Sequence, residues 1–169
     1  MTDETLDQLD RIASLIYQAP LGQYLGRGGA EVLARHCSDE VAIGEGEFLF
    51  RRSDRADSFF MVSHGKLAVV REATSQRPEL VLHVLDLGDL VGELSFLDGT
   101  PHTVSIRAVE DSRLLRFGRA EFDPMVEGEP RVAFDFMRAV VTRIHHTAAS
   151  IARQQQELTD FVSSGGKRT

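Results

Sequence analysis

The stretch from Gly88 to Val104 holds the residues of this chain best suited to chemistry. Turn residues at its two ends leave room for little more than one helical turn, Glu93-Leu94-Ser95-Phe96-Leu97. The first turn of such a helix presents backbone N–H groups without intrahelical acceptors and the positive end of a dipole, and both suit a phosphate. The carboxylate of Glu93 repels phosphate but accepts hydrogen bonds from hydroxyl groups. Together these features fit a sugar phosphate.

A second glycine-rich stretch, Gly26-Arg27-Gly28-Gly29, superficially suggests a phosphate-binding loop. It lacks the Gly-Lys-Ser/Thr ending that such a loop needs. We therefore interpret residues 21–29 as a flexible connection. It would join an N-terminal helix ending near Pro20 to a short helix from Ala30 to about His36.

The histidines are candidate metal ligands. A cupin-type metalloenzyme needs a His-x-His pattern and a carboxylate on adjacent strands. The six histidines are instead scattered, and the one adjacent pair would point to different faces of a helix. They are His36, His64, His83, His102, His145 and His146. A metal-dependent enzyme, or more remotely a haem sensor, is therefore the weaker hypothesis.

Composition limits the possible partners and compartments. The net charge of −7 disfavours DNA and acidic membranes, which both attract basic surfaces. A single cysteine, Cys37, excludes an internal disulfide framework and a cysteine-ligated iron–sulfur cluster within one chain. The N-terminal residues are acidic and no window approaches 18 apolar residues, so we expect neither export nor a membrane span. The expected location is the cytoplasm.

Between Val41 and Phe117, short apolar runs alternate with turn residues, which favours a β-sandwich or jelly roll over a parallel sheet. The tightest hairpin turn is expected at Ser63-His64-Gly65-Lys66. Residues 74–79 are polar and predict an exposed hairpin end. The runs are Phe48–Phe50, Phe59–Val62, Leu67–Val70, Leu80–Leu85, Val104–Ile106 and Arg113–Phe117.

The C-terminal third predicts a short helix over Ala120–Met125, a break at residues 128–130 and a long helix from Arg131 to about Val162. Apolar residues in the long helix alternate spacings of four and three, which defines a heptad seam with Gln155 as its one polar member. The seam is Met137, Val141, Ile144, Ala148, Ile151, Gln155, Leu158 and Val162. We interpret this seam as a parallel homodimer interface. The alternative is a helix lying on the β domain, and Phe134 and Val140, off the seam, favour such contact near its start.

The segment 88–104 resembles the phosphate-binding cassette of the cyclic nucleotide-binding domain family, found in catabolite activator proteins, kinase regulatory subunits and gated channels. The family pattern is roughly Gly-Glu-Leu/Ile-small-Leu, a few residues, then Pro-Arg-Ser/Thr/Ala-Ala. The arginine position is occupied by His102, and the matching residues are Gly92, Glu93, Leu94, Ser95, Pro101 and Thr103.

The resemblance extends over about residues 40 to 162. Upstream, the family's first hairpin pattern is followed, with Ser53 in place of a usual glycine. The upstream matches are Gly46–Phe50, Asp54, Asp57–Val62 and Gly65. Downstream, Asp111–Phe117 resembles the closing strand. The resemblance implies a mainly β fold with flanking helices, a β-roll or jelly roll followed by a long C-terminal dimerisation helix. The expected divisions are N-terminal helices 1–36, β-roll 37–119, hinge and helix 120–162, and a loose tail 163–169.

The resemblance also implies roles for individual residues. The N–H groups of Leu94 and Ser95 would meet the cyclic phosphate, and Glu93 would accept from the ribose 2′-hydroxyl. Thr103 would lie near phosphate and base, and Thr147 resembles a threonine that touches adenine in its own or the partner's pocket. The full candidate set is Val91, Gly92, Glu93, Leu94, Ser95, Pro101, His102, Thr103, Val104 and Thr147, and no cofactor or metal is expected.

The histidine at position 102 is the departure with the largest expected effect. Arginine offers a permanently charged, bidentate fork to phosphate, whereas histidine is mostly neutral near pH 7. Losing one charge-assisted hydrogen bond costs about 1.5–3 kcal/mol, or about 10- to 150-fold in affinity. A nearby phosphate would raise the pKa of His102, so we expect binding to strengthen toward pH 6.

Two functions follow from the resemblance. The first is a small dimeric sensor that binds cAMP or cGMP between β-roll and long helix and signals through an unidentified protein partner. A direct gene regulator is disfavoured, because little sequence follows the helix to form a helix-turn-helix domain. The alternative is a degenerate member that binds no nucleotide and acts as a dimeric scaffold; Ser53 and His102 favour it, and Glu93 and Thr147 disfavour it.

Overall fold

The strands form two four-stranded antiparallel sheets. The computed structural model describes residues 2–165. The strands are β1 Asp39–Ile43, β2 Phe48–Phe50, β3 Ser58–His64, β4 Leu67–Arg71, β5 Leu80–Leu85, β6 Leu90–Val91, β7 Ser105–Ala108 and β8 Ser112–Gly118. One sheet has the order β1-β8-β3-β6 and the other the order β2-β7-β4-β5. Apolar residues of both sheets pack into one core between them, among them Val62 of β3 and Leu67 of β4.

Helices flank this β-roll on the N- and C-terminal sides. They are α1 Asp3–Gln18, α2 Gly22–Arg35, α3 Glu93–Asp98, α4 Arg119–Gly128 and α5 Pro130–Gly165. Thr2 caps α1 by accepting a hydrogen bond from the N–H of Thr5 at its Oγ1 atom. The predicted fold class is confirmed: a mainly β protein with a β-roll, flanking helices and a long C-terminal helix.

The prediction of a flexible connection over residues 21–29 is wrong. Helix α2 begins at Gly22 and continues to Arg35, with one interruption at Gly26, whose φ is 65°. Leu25, Ala30 and Leu33 are buried in the apolar core that α2 shares with α1 and α5. Burial of this apolar face outweighs the low helix propensity of the glycines.

The six predicted apolar runs correspond to β2, β3, β4, β5, β7 and β8, and the predicted hairpin turn joins β3 to β4. Two strands were not predicted. Strand β1 starts with the charged residues Asp39 and Glu40, and β6 contains only Leu90 and Val91. Both depend on their partners, since β1 pairs with β8 and β6 pairs with β3.

Phenylalanine rings from five elements meet at the ring of Phe59 on β3. It stacks on Phe117 with centroids 4.9 Å apart and an interplanar angle of 9°. The three other ring centroids lie 5.1–5.4 Å from it, and they belong to Phe96, Phe122 and Phe136. Aromatic pairs at such distances add stability beyond area burial. This aromatic cluster packs α3, the helix that starts at the candidate site residue Glu93, directly against α4 and α5.

Helix α5 presents two different faces. Phe136 and Val140 are buried against the body, which confirms the expected contact for Val140. Phe134 is 59% exposed and lines a cleft with residues of α3 and α4, so its expected contact with the body is partial. It lies three residues before Met137 and extends the heptad seam by one position. The helix runs to Gly165, so the first residues of the predicted tail are helical, and residues 166–169 lie outside the described residues.

Candidate functional site

Helix α3 is short and begins at a glycine with a left-handed backbone. Gly92 has φ 74°, and a Cβ atom there would lie 3.0 Å from Cε1 of His102 and 3.1 Å from Cε1 of Phe50. The N–H of Phe96 is the first to bond within the helix, to the carbonyl of Gly92 at 3.2 Å. The amides of residues 93–95 precede it and have no acceptor within the helix. The backbone N–H donors expected at the start of a short helix are therefore present.

The carboxylate of Glu93 lies in the first turn of α3 and is 9% exposed. The closest cation is Arg143 of α5, whose Nη1 lies 3.9 Å from Oε1 of Glu93. The same Nη1 donates to the carbonyl of Leu90 at 3.3 Å. One half-buried guanidinium thus connects the long helix to the carboxylate and to the strand that precedes α3.

Arg143 was not among the predicted site residues. The sequence did contain one indication of its role: Arg143 stands four residues before Thr147 and so lies on the same helical face. The sequence alone does not show which part of the β-roll that face meets. Residues 93 and 143 are brought together by the packing of α5 on the body of the domain.

His102 is buried, at 5% exposed, and its ring stacks on Phe50 with centroids 3.6 Å apart and an interplanar angle of 6°. Burial lowers the pKa of His102 below its usual value, and the negative charge of Asp54 only partly opposes this. This shift runs opposite to the one expected for an imidazole beside a phosphate. Burial thus favours the neutral form of the imidazole, which is part of the cavity wall.

His102 and Ser53, the two departures from the family pattern, are hydrogen-bonded to each other. The N–H of Ser53 donates to the carbonyl of His102 at 2.8 Å, and the N–H of His102 donates to the carbonyl of Asp54 at 3.0 Å. Ser53 has φ 76°, the only positive value at a non-glycine residue in the described part of the chain. A left-handed backbone at such a residue is strained.

We predict that Ser53→Gly stabilises the chain. Glycine relieves the left-handed strain but loses more backbone entropy on folding, so the net gain should be about 0.5–1 kcal/mol. Urea unfolding of wild type, Ser53→Gly and Ser53→Ala measures it. Alanine keeps the strain and serves as the control, with a change below about 0.5 kcal/mol. A Ser53→Gly variant no more stable than Ser53→Ala would contradict the strain at this position.

Protonation of His102 should destabilise the fold. Because its pKa is lowered in the folded state, the unfolded chain takes up the proton first as pH falls below about 6.5. Stability from this residue is therefore complete above that pH and is lost as pH falls toward the lowered folded-state pKa. Urea unfolding between pH 5 and 8 should show a shallower pH dependence for His102→Phe, which keeps a ring on Phe50. His145→Phe, an exposed control, should retain the wild-type slope, and equal slopes for all three proteins would contradict the assignment.

A cavity of about 210 Å³ lies beside α3, His102 and the inner face of the second sheet. Eight of the ten predicted site residues line it: Val91, Gly92, Glu93, Leu94, Ser95, His102, Thr103 and Val104. The lining residues that were not predicted are Phe50, Val69, His83, Leu85, Leu90, Ile106 and Arg143. Most of these residues belong to strands far from α3 in the sequence, and only the tertiary structure brings them together in the wall of one cavity.

Pro101 and Thr147 do not line this cavity. Pro101 borders a separate cleft with Arg55 and Arg119, although its carbonyl accepts a hydrogen bond from Oγ of Ser95 at 3.3 Å. Oγ1 of Thr147 donates to the carbonyl of Arg143 at 3.0 Å, and Thr147 lines a different cleft between α2 and α5. Thr147 therefore does not line this cavity in its own chain. A contact with a partner's pocket stays a prediction.

Neither a three-ligand metal cluster nor a membrane-spanning helix is found in residues 2–165. No group of three His, Cys, Asp or Glu side chains there is arranged to hold a metal ion. No helix in the same part of the chain is both long and apolar enough to cross a membrane.

Comparisons with known proteins agree with this geometry. The N-terminal domain of a transcriptional regulator from Streptomyces coelicolor A3(2) is 30% identical with a TM-score of 0.67, over 79% of this chain and 94% of that one. The Thermus thermophilus catabolite activator protein also has a TM-score of 0.67, at 23% identity over 81% of this chain and 63% of that one. The latter similarity shows the shared fold.

Curated relatives are far longer than this chain. Lysophospholipase NTE1 of Mycosarcoma maydis is 26% identical over 119 residues, which is 70% of this chain and 6% of that protein. This chain therefore matches only a small region of the enzyme. The family model described as cyclic nucleotide-binding domain matches residues 40–129, more than half of this chain. The chain thus belongs to the cyclic nucleotide-binding domain family.

Proposed function

We propose that this chain is a regulatory module that binds a cyclic nucleotide, cAMP or cGMP, in the cavity beside α3. The observation that carries this proposal is the buried carboxylate of Glu93 next to the free amides of the first α3 turn. A buried carboxylate with few partners is costly unless it is paired. A ribose hydroxyl would be such a partner, while the adjacent amides suit the cyclic phosphate.

Within this proposal, the N–H groups of Leu94 and Ser95 bind the phosphate, and Glu93 accepts from the 2′-hydroxyl. Thr103 lies at the same wall and offers a hydroxyl. A neutral His102 cannot supply the positive charge of the family arginine. Arg143, the one lysine or arginine lining the cavity in the described part of the chain, is proposed to supply it instead.

The cavity must widen to admit a nucleotide. Its volume of about 210 Å³ is below the range of about 300–1,000 Å³ common for small-molecule pockets. Arg143 connects the cavity wall to α5, so ligand entry is proposed to displace this side chain and bias the position of the helix. A coupling of about 1–3 kcal/mol between ligand and helix would suffice for a switch.

The test is calorimetric titration of the purified chain with cAMP and, separately, with cGMP up to millimolar concentrations. Saturable heat with either ligand supports the sensor and identifies its signal. The absence of saturable heat with both ligands would overturn the proposed sensor function. It would favour the degenerate scaffold, for which the neutral, buried His102 and the small cavity are the supporting observations.

We further propose that α5 forms a parallel homodimer with a second copy. The large apolar seam residues are 42–72% exposed in the single chain: Phe134, Met137, Val141, Ile144, Ile151, Leu158 and Val162. A contiguous apolar stripe of this length marks an interaction surface. The heptad spacing with one polar member, Gln155, fits a two-stranded coiled coil in one register.

A charge in this seam should separate the two copies. Ile151→Asp removes apolar burial and places a carboxylate in the seam of each copy, so dimer affinity should fall about 100-fold or more. Light scattering after size exclusion, over a dilution series, measures the change. Ser150→Asp adds the same charge one residue away and off the seam, and should remain dimeric. A wild-type chain that is monomeric at all concentrations would contradict the dimer.

The output of the module is proposed to pass through a protein partner in the cytoplasm. With a net charge of −7, the surface is poorly suited to bind DNA or acidic membranes by itself. We assign no catalytic role to the chain. Its role would be to change the position of α5, and with it the surface offered to the partner, when nucleotide binds.

A further inference from the structure

A second cleft, of about 310 Å³, lies at the end of the β4–β5 hairpin. We call it the arginine cleft, because Arg52, Arg71 and Arg77 line it, all three exposed. Its apolar wall is formed mainly by Val70, Leu82 and Val104. The cleft therefore combines concentrated positive charge with an apolar surface in a chain whose net charge is −7.

The positive charge of this cleft is not neutralised internally. Among residues 2–165, Glu72 is the one acidic residue that lines the cleft. Both of its carboxylate oxygens are occupied: Oε1 pairs with Nη1 of Arg51 at 2.7 Å, and Oε2 accepts from Oγ of Ser105 at 2.7 Å. The neighbouring Arg107 is paired with Glu79 at 2.6 Å. The guanidinium groups of Arg52, Arg71 and Arg77 form no ion pair in residues 2–165.

The backbone around the cleft is held in place by local hydrogen bonds. Oγ1 of Thr74 accepts from the N–H groups of Gln76 and Arg77, and the carbonyl of Arg77 accepts from the N–H of Thr74 at 2.8 Å. On the opposite side, the N–H of Arg52 donates to Oγ of Ser105 at 2.9 Å. Two of the three arginines are thus carried by backbone segments with defined positions, which lowers the ordering cost of binding.

This chemistry selects the ligand class. Three guanidinium forks without an ion pair in residues 2–165 match a phosphomonoester, which carries about −1.5 to −2 charges near pH 7 and three acceptor oxygens. A cyclic phosphodiester carries a single charge and is a poorer match. The cleft volume lies within the range of about 300–1,000 Å³ usual for small-molecule pockets, and the negative net charge disfavours an acidic membrane surface. The half-exposed side chain of Leu82 leaves room for an apolar body on the phosphate.

We propose that the arginine cleft binds a soluble phosphomonoester with a small apolar or aromatic body. Thr103 and Val104 line both this cleft and the cavity beside α3, so the two sites share a wall. A ligand in the cleft is therefore placed to influence the cavity. The binding itself does not depend on nucleotide binding by the cassette.

The experiment titrates the full chain with phenyl phosphate and with inorganic phosphate in a phosphate-free buffer. Phenyl phosphate should bind saturably and more tightly than inorganic phosphate, because it also covers the apolar wall. The double variant Arg71→Gln/Arg77→Gln should bind phenyl phosphate about 100-fold more weakly, at about tenfold or more per lost guanidinium.

The matched control is Arg35→Gln/Arg153→Gln, which removes the same charge from two exposed arginines of α2 and α5 outside the cleft. It should retain wild-type affinity. Absence of saturable binding by wild type would overturn the proposal. Equal weakening by the two double variants would also overturn it, because the effect would then come from net charge and not from the cleft.

Discussion

Replacing Glu93 with alanine is expected to weaken cyclic nucleotide binding by about 10- to 150-fold, the loss that corresponds to one charge-assisted hydrogen bond of about 1.5–3 kcal/mol. The carboxylate is 9% exposed and faces the cavity, so water cannot readily replace the ribose hydroxyl as its partner. The substitution also removes the carboxylate opposite Arg143. That guanidinium, already proposed to supply positive charge to the phosphate, would remain, which would keep the loss below complete abolition.

The measurement is the same calorimetric titration, applied to Glu93→Ala and to Glu127→Ala. Glu127 lies on α4, is exposed, and lines no part of the cavity, so its removal should leave affinity unchanged while altering net charge equally. Thermal unfolding of both variants checks that the fold is retained. Wild-type affinity in Glu93→Ala would show that the ribose is bound elsewhere and would remove Glu93 from the proposed site.

Replacing Phe59 with alanine is expected to cost about 3–5 kcal/mol of unfolding free energy, as for other fully buried aromatic residues. Phe59 is 0% exposed and is in ring contact with four other phenylalanines. Its removal leaves a cavity where β3, α3, β8, α4 and α5 meet. The packing that holds α3 against α5 should loosen as well, so nucleotide affinity should fall together with stability.

Urea unfolding at fixed protein concentration measures this loss. Phe59→Leu, which keeps most of the volume, should cost less than Phe59→Ala. Leu87→Ala is the exposed control: Leu87 is 63% exposed, and its truncation should change stability by less than about 0.5 kcal/mol. A loss below about 1.5 kcal/mol for Phe59→Ala would mean that the five rings do not form the centre of the core.

The cluster and Arg143 together suggest how the cavity and the long helix communicate. Phe96 of α3 and Phe136 of α5 both touch Phe59, and Arg143 lies seven residues beyond Phe136, on the same side of α5. Movement of α3 on ligand binding would therefore be transmitted to α5 through packed rings and through one guanidinium. The Phe59 and Glu93 variants test these two connections separately.

Local sequence patterns predicted much of this chain. Alternation of apolar runs with turn residues predicted six of the eight strands in residues 2–165, and the turn residues around Glu93 predicted the short helix α3. The spacing of four and three along α5 predicted a long helix. These features depend on neighbours a few residues apart, where side-chain periodicity and turn chemistry act directly.

The structure decided what depends on contacts between distant segments. The family resemblance implied that His102 lies beside a phosphate, which stays a prediction; the tertiary structure adds that its ring stacks on Phe50 and that burial lowers its pKa. Packing also turned a glycine-rich stretch into part of α2, and placed Thr147 in another cleft.

By itself, then, the sequence determined the type of fold, the short helix with Glu93 at its start and the apolar seam of α5. Only the tertiary structure decided that Arg143 lies at Glu93 and that one cleft is lined by three arginines with no ion pair in the described part of the chain. The physical reason is that the free energy of such contacts comes from burial and charge among residues far apart in the chain. No local pattern of residues encodes those distances.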